Sequence, residues 1–267
     1  MSDNERADMA QRITHSTHAI VRIVDELLDI SGKESVHYID KTDMVNCNDL
    51  ARELLVPYID IDIVMNELDT LANIDYKTRT EKPEHRTLTC VRIGTCGGLQ
   101  PYTPTGCFIA SVKSIGFDGL LNFYAGRNEV CDLKLEEAFK KHMDWNPLLA
   151  APYVAQADPE LIDRVAGDDM VRGYTIACGG FYGPQGRILR ANIADPKQNE
   201  KVESFEYEGM KVCNFEMESS ALAGLASLLG HRAMTCCMVI ANRYAQEMNT
   251  NYKNSIDTLI QLVLDRI

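Results

Sequence analysis

Five runs of apolar and β-branched residues constrain this chain most: TLTCVRIG (87–94), GCFIASVKSI (106–115), YTIACGG (174–180), KVCNFEMES (211–219) and AMTCCMVIANR (233–243). Each is short enough for a buried strand, and several run into glycine. Helical patterns lie between and around them. DPELIDRVA (158–166) offers Asp158 as N-cap and Pro159 at the first helical position. SSALAGLASLLG follows the fourth run and is stopped by Gly230. DIDIVMNELDTLANI puts Ile61, Val64, Met65, Leu68 and Leu71 on one stripe, and the last segment does the same with Ile256, Leu259, Ile260, Val263, Leu264 and Ile267. A further helix is expected over 7–30, ended by Ser31-Gly32. Strands alternating with helices predict an α/β fold: a single domain with a central mixed, mostly covered sheet flanked by helices. No repeat, linker or low-complexity stretch divides the 267 residues.

The charge balance excludes some functions. With 27 basic against 39 acidic side chains the chain carries −12, the wrong field for nucleic acid or an anionic membrane. No run approaches 18 apolar residues, so no membrane span is expected, and the polar start MSDNERADMAQR does not read as a secretory signal. Nine cysteines without a CxxC pair fit no closed disulfide framework, and Cys236 and Cys237 sit inside an apolar run as small buried residues. A reducing cytoplasm is the expected location. His15 and His18 lack a nearby third ligand, so no metal site is expected.

In α/β folds, sites gather where strands end in glycine-containing loops. In VRIGTCGGLQ (91–100), Gly94, Gly97 and Gly98 free backbone amides to face a ligand, while Thr95 adds a hydroxyl and Arg92 a permanent cation. Together they suit an oxyanion. GGFYGPQGRILR (179–190) offers Phe181 to stack on a flat ring. Its Gln185, donor and acceptor, and Arg187, donor only, suit the edge of a pyrimidine. FEMESS (215–220) supplies Glu216 and Glu218 to accept from sugar hydroxyls, with Met217 as apolar packing. Singly, these stretches also read as a glycine turn, a surface loop, and acids favouring a helix start.

In combination they resemble the nucleoside phosphorylase family, in its uridine phosphorylase branch. RIGTCGGLQ is similar to the family's R-I-G-T-[ST]-G segment, FYGPQGR to F-Y-x-x-Q-x-R, NFEMES to [NF]-[YF]-E-M-E-[ST], and VIANR to V-I-x-N-R. The likeness runs from about Asp60 to the C-terminus, leaving 1–59 atypical. It implies a nucleoside phosphorylase-like domain and reversible phosphorolysis of uridine to uracil and ribose 1-phosphate. Phosphate would be co-substrate, with no metal or organic cofactor. By matched position, Arg92 and Thr95 would hold phosphate and Glu218 the ribose hydroxyls, Glu216 and Gly97 standing beside them. Met217 would pack under the sugar, Phe181 and Ile240 would line the pocket, and Gln185 with Arg187 would bind uracil. Arg92, Thr95, Arg187 and Glu218 are the expected catalytic set. A homodimer or larger ring of dimers is the expected assembly.

Two family features are absent from the sequence. There is no G-D-P-x-R segment and no G-I-G turn; ELLVPYIDIDIVMNELD stands instead, and Cys96 replaces the usual Ser or Thr. The resemblance implies that the G-D-P-x-R arginine and a second arginine, lent across a dimer interface, bind phosphate in the family; losing both contacts would cost about 3–6 kcal/mol. The alternative expectation is therefore a phosphate-impaired or non-catalytic homologue that binds nucleoside or serves as an oligomer partner.

Overall fold

The computed structural model describes residues 60–245, 247–248 and 253–267. The helix expected over 7–30, together with His15 and His18, lies outside them. Contacts divide the chain into Met1–Val64 and Met65–Ile267, and a helix leads into the second unit.

That helix, α1 (Ile61–Asn73), is the amphipathic segment read from the sequence. Met65 is buried as expected, but Leu71 is 53% exposed, so the stripe is narrower than its periodicity implies. The order thereafter is β1 (Thr89–Gly98), β2 (Phe108–Gly116), α2 (Leu133–Met143), β3 (Tyr153–Gln156), α3 (Pro159–Val165), β4 (Met170–Ala177), α4 (Gln198–Ser204), β5 (Met210–Glu216), α5 (Ser219–Leu228), β6 (Arg232–Asn242) and α6 (Lys253–Arg266). All five apolar runs are strands. Asp158 caps α3 by accepting from Leu161 N at 2.9 Å, and Gly230 follows α5 with φ of 75°, the left-handed conformation glycine adopts freely.

The sheet is mixed, in the order β6-β1-β5-β4-β2-β3. β1 runs parallel to β6, β4 parallel to β5 and β2 parallel to β4, whereas β1–β5 and β2–β3 are antiparallel. Phe108–Ala110 of β2 also pair antiparallel with Cys236–Met238 of β6, which closes β6-β1-β5-β4-β2 into a ring. Closure satisfies edges that an open sheet would expose. Among the described residues two large cores lie against it, beside a smaller cluster of Cys96, Ile109, Cys213, Cys237 and Val239. Phe139, Val202, Phe205 and Phe215 anchor the one beneath α2 and α4; Leu161, Val165, Leu259 and Val263 anchor the one beneath α3 and α6. On α6 the buried face is centred on Leu259 and Val263, while Ile260 and Leu264 are 38% and 59% exposed. The buried face of this helix is thus narrower than its apolar periodicity implies. α5 is buried from Ser219 to Ala226, as small residues allow a helix to be covered on every side. Among the described residues no helix is long and apolar enough to cross a membrane.

Candidate active site

Four strand ends meet at one rim. The Cys178 amide donates to Glu216 O at 3.0 Å, tying the end of β4 to that of β5. The Arg243 amide donates to Gly98 O at 3.0 Å, tying the end of β6 to that of β1. Three of the sequence stretches singled out above therefore converge, and VIANR joins them.

At one side of the rim Arg92 leaves β1 and folds back over Gly94. A Cβ on Gly94 would stand 2.8 Å from Arg92 Nη1, so glycine is what lets the guanidinium lie there. Arg92 Nη1 meets Glu216 Oε2 at 3.0 Å, and Nη2 pairs with Glu218. Nη1 also donates to Cys237 Sγ at 3.4 Å. Burial opposes the arginine's charge, but Glu216, Cys237 and Glu218 outweigh it and hold the guanidinium firmly protonated.

The two glutamates do different work. The Glu216 side chain is almost fully buried; it accepts from Glu218 N at 3.0 Å, Ser219 N at 3.0 Å and Ser219 Oγ at 2.5 Å. It caps the start of α5 from two residues before the N-cap, satisfying orphan amides. Glu218 occupies the N-cap position but makes no side-chain cap bond. Its carboxylate is about one-third exposed and pairs with Arg92. Burial and the Glu216 charge push its carboxyl above the usual range against the pull of Arg92. A carboxylate that is reachable, and spared from capping, is the one free to accept from a ligand. Met217 between them is 37% exposed, an apolar surface beside that carboxylate.

On the other side, Gln185 is buried within the turn after β4. Its Oε1 accepts from Arg187 Nη1 at 2.6 Å and from Arg243 Nη2 at 3.1 Å. Arg187 also donates to Phe181 O at 2.5 Å, and its guanidinium lies 3.7 Å over the Phe181 ring. One face of that ring is thus taken by an arginine, and the ring is half-exposed. Gly186 holds the turn at φ of 67°, where a Cβ would meet Asn199 Oδ1 at 2.3 Å.

Thr95 and Ile240 are placed differently from this cluster. Strand alternation gives Arg92, Gly94 and Cys96 one face of β1 and Ile93 and Thr95 the other. Among the described residues no hydrogen bond or ion pair joins Thr95 to Arg92. Ile240 packs against the core shared by α3 and α6. Gly97 sits by Arg243: a Cβ there would lie 4.0 Å from Arg243 Nε.

Sequence reasoning missed Arg243 and Cys237. Arg243 spans the rim, donating to Gln185 O and Oε1, with its guanidinium 4.5 Å over the Phe215 ring. Burial, and then the like charge of Arg187, lower its pKa to about 10. It stood in the VIANR motif, but a cation just past a strand end carries no local sign that it turns back to a loop 58 positions earlier. Cys237 is buried, as its apolar run implies, and it also faces Arg92.

Known proteins resemble this chain in sequence and in fold. The family model of the phosphorylase superfamily matches residues 73–266. A uridine phosphorylase of Haemophilus influenzae is 29% identical over 174 residues, covering 60% of this chain and 56% of its own length. One of Escherichia coli is 29% identical over 173 residues with the same coverage. The chain thus spans little more than half the length of these curated relatives. A Trypanosoma brucei nucleoside phosphorylase, whose crystal structure is described as showing uridine phosphorylase activity, matches with a TM-score of 0.65 at 21% identity. That match covers 77% of this chain and 74% of the other, and is a likeness of fold. With the family model matched over most of its length and the strand ends of that fold closed into one rim, the chain belongs to the phosphorylase superfamily.

Proposed function

We propose that this chain is a pyrimidine nucleoside phosphorylase that converts uridine and phosphate reversibly to uracil and ribose 1-phosphate. The observation that carries the reading is the pairing, on one rim, of a reachable carboxylate beside Arg92 with a Gln185–Arg187–Arg243 cluster opposite. The first suits ribose hydroxyls next to an anion, and the second suits the carbonyl oxygens of a pyrimidinedione. The names of the curated relatives support the same substrate class.

In this reading Glu218 accepts from the ribose hydroxyls and Met217 packs under the ring. As the glycosidic N1–C1′ bond stretches, its electron pair moves to the base and the sugar becomes oxocarbenium-like. Arg187 and Arg243 meet the charge growing on the base, an interaction stronger in the transition state than in the substrate. A phosphate oxygen then bonds to C1′ from the other face. Arg92 orients that phosphate, which requires it to exchange its Glu218 contact for the phosphate while Glu216 keeps hold of its other edge. Thr95 is assigned to the phosphate by motif alone.

A second reading is favoured by the same arginine. Arg92 is already paired with two carboxylates, so phosphate must compete for it, which fits a homologue that binds nucleoside with weak or no phosphorolysis. Incubation with uridine, 2′-deoxyuridine, cytidine and inosine in phosphate, with products separated by chromatography, tests the proposal. It expects uracil from uridine and nothing from inosine. Tight uridine binding without turnover would establish the second reading instead.

A further inference from the structure

The base end of the rim carries more positive charge than recognition of a neutral base needs. Arg187 and Arg243 approach one oxygen, Gln185 Oε1, at 2.6 and 3.1 Å. Their other hydrogen-bond partners are neutral too: Phe181 O for Arg187 and Gln185 O for Arg243. In the orientation that satisfies both its ends, the Asn199 amide adds a third neutral acceptor, 3.1 Å from Arg243 Nη1. Among the described residues neither guanidinium has a carboxylate within 4.0 Å, whereas Arg92, Arg127, Arg172, Arg232 and Arg266 each do. Two adjacent, partly buried like charges without a counter-ion repel each other, and an anion between them would relieve that repulsion.

The hydrogen-bonding pattern has the same sense. Gln185 is the residue there that could accept from a base N–H, yet its side-chain oxygen is already engaged by both arginines. An amide oxygen offers two lone pairs. What remains is donors: Gln185 Nε2 and the unused N–H groups of both guanidiniums. A neutral pyrimidinedione brings two N–H groups as well as two carbonyl oxygens; its monoanion brings one N–H and more charge on those oxygens. The other titratable groups facing the pair are Cys178, Tyr182 and Glu203. Burial raises the Cys178 thiol and, more than Arg243 lowers it, the Glu203 carboxyl. Glu203 acts on Arg243 without direct contact.

We infer that the base end is an anion site: it binds the free pyrimidinedione base as its monoanion, with Arg187 and Arg243 as joint counter-ions and the displaced proton released to solvent. This rests on the proposed function and deepens it. The departing base stays ionised until it leaves, so no protein acid has to protonate it in the site.

The test is calorimetry of uracil and 5-fluorouracil, a stronger acid, binding to the full chain between pH 6 and 9 in buffers of different ionisation heat. The inference expects nearly one proton released per base bound while the base is neutral in solution. Affinity should rise about tenfold per pH unit in that range, and 5-fluorouracil should bind tighter by about tenfold per unit of its greater acidity. Arg243→Gln should sharply reduce both the preference for 5-fluorouracil and the proton release. Binding of uracil without proton exchange and without pH dependence would overturn the inference while leaving uridine phosphorolysis standing. Failure of uracil to bind, together with no phosphorolysis of uridine, would overturn the proposed function and this inference with it.

Discussion

Replacing Gly94 by alanine isolates the role of Arg92 without touching its charge. The new Cβ would stand 2.8 Å from Arg92 Nη1 and 3.0 Å from Cζ and Nη2. Non-bonded atoms do not remain that close, and the far end of the arginine is the part that can move, so the steric cost is small. The consequence is that the guanidinium leaves Glu216 and Glu218. Each charge-assisted contact is worth roughly 1.5–3 kcal/mol. Two such contacts sum to roughly 3–6 kcal/mol. Glu216 keeps its bonds from Glu218 N and from Ser219 N and Oγ, and water reaches the part-exposed Glu218, so stability should fall at the low end, by about 3 kcal/mol. For a chain of this size that is a drop in Tm of roughly 6–12 °C. If Arg92 orients phosphate, losing one such contact should raise the KM for phosphate by roughly 10- to 100-fold. The KM for uridine should change far less. Initial-rate kinetics with phosphate varied at saturating uridine, beside a thermal melt, decide the matter. A variant that is folded and has the parent's KM for phosphate would refute the assignment of Arg92.

Further expectations follow from neighbouring residues. Glu216→Gln keeps the shape but sets an amide N–H₂ against the donors that Glu216 accepts, and leaves Arg92 with one partner; urea unfolding should show a loss of about 3 kcal/mol, and an unchanged midpoint would contradict the capping role. The Glu218 carboxyl is raised by burial. Its contribution to stability is therefore present below the unfolded pKa and fades as pH rises through the folded one. Its ionised form, needed for ribose, appears only above the usual carboxylate range. The acid limb of kcat/KM for uridine should lie above that range and vanish in Glu218→Gln; a limb at the ordinary carboxylate pKa would refute it. Gly186→Ala combines a left-handed φ with a Cβ 2.3 Å from Asn199, so the base turn should distort and the KM for uridine rise at least tenfold with little change for phosphate.

Much of this architecture is legible in the sequence, because apolar β-branched runs report buried strands whatever surrounds them. The boundaries are less so. β1 continues to Gly98, four residues past the point where the apolar run stops at Gly94, because the backbone ladder to β6 and β5 does not need side chains. α2, LKLEEAFKKHM, carries little sequence signal: Leu135, Phe139 and Met143 bury a narrow face amid charges. In the site, the motifs point to Arg92, Gln185 and Arg187 and favour Glu218 over Glu216 for the ribose, but they do not show that Glu216 is the residue capping α5. Which one caps α5 depends on how the chain turns after β5. Arg243 and Asn199 were invisible for a related reason, since their roles exist only once β6 and α4 are folded against the base turn. The same folding explains why Phe181, an open stacking surface by sequence, has Arg187 over one face.

The most direct test of the account is the dependence of uracil release on phosphate. Purified full-length protein is given uridine with and without millimolar phosphate, and uracil, ribose and ribose 1-phosphate are quantified over time. The account predicts uracil and ribose 1-phosphate in equal amounts, formed only when phosphate is present. Uracil formed with free ribose at the same rate in both reactions, or no uracil in either, would contradict it.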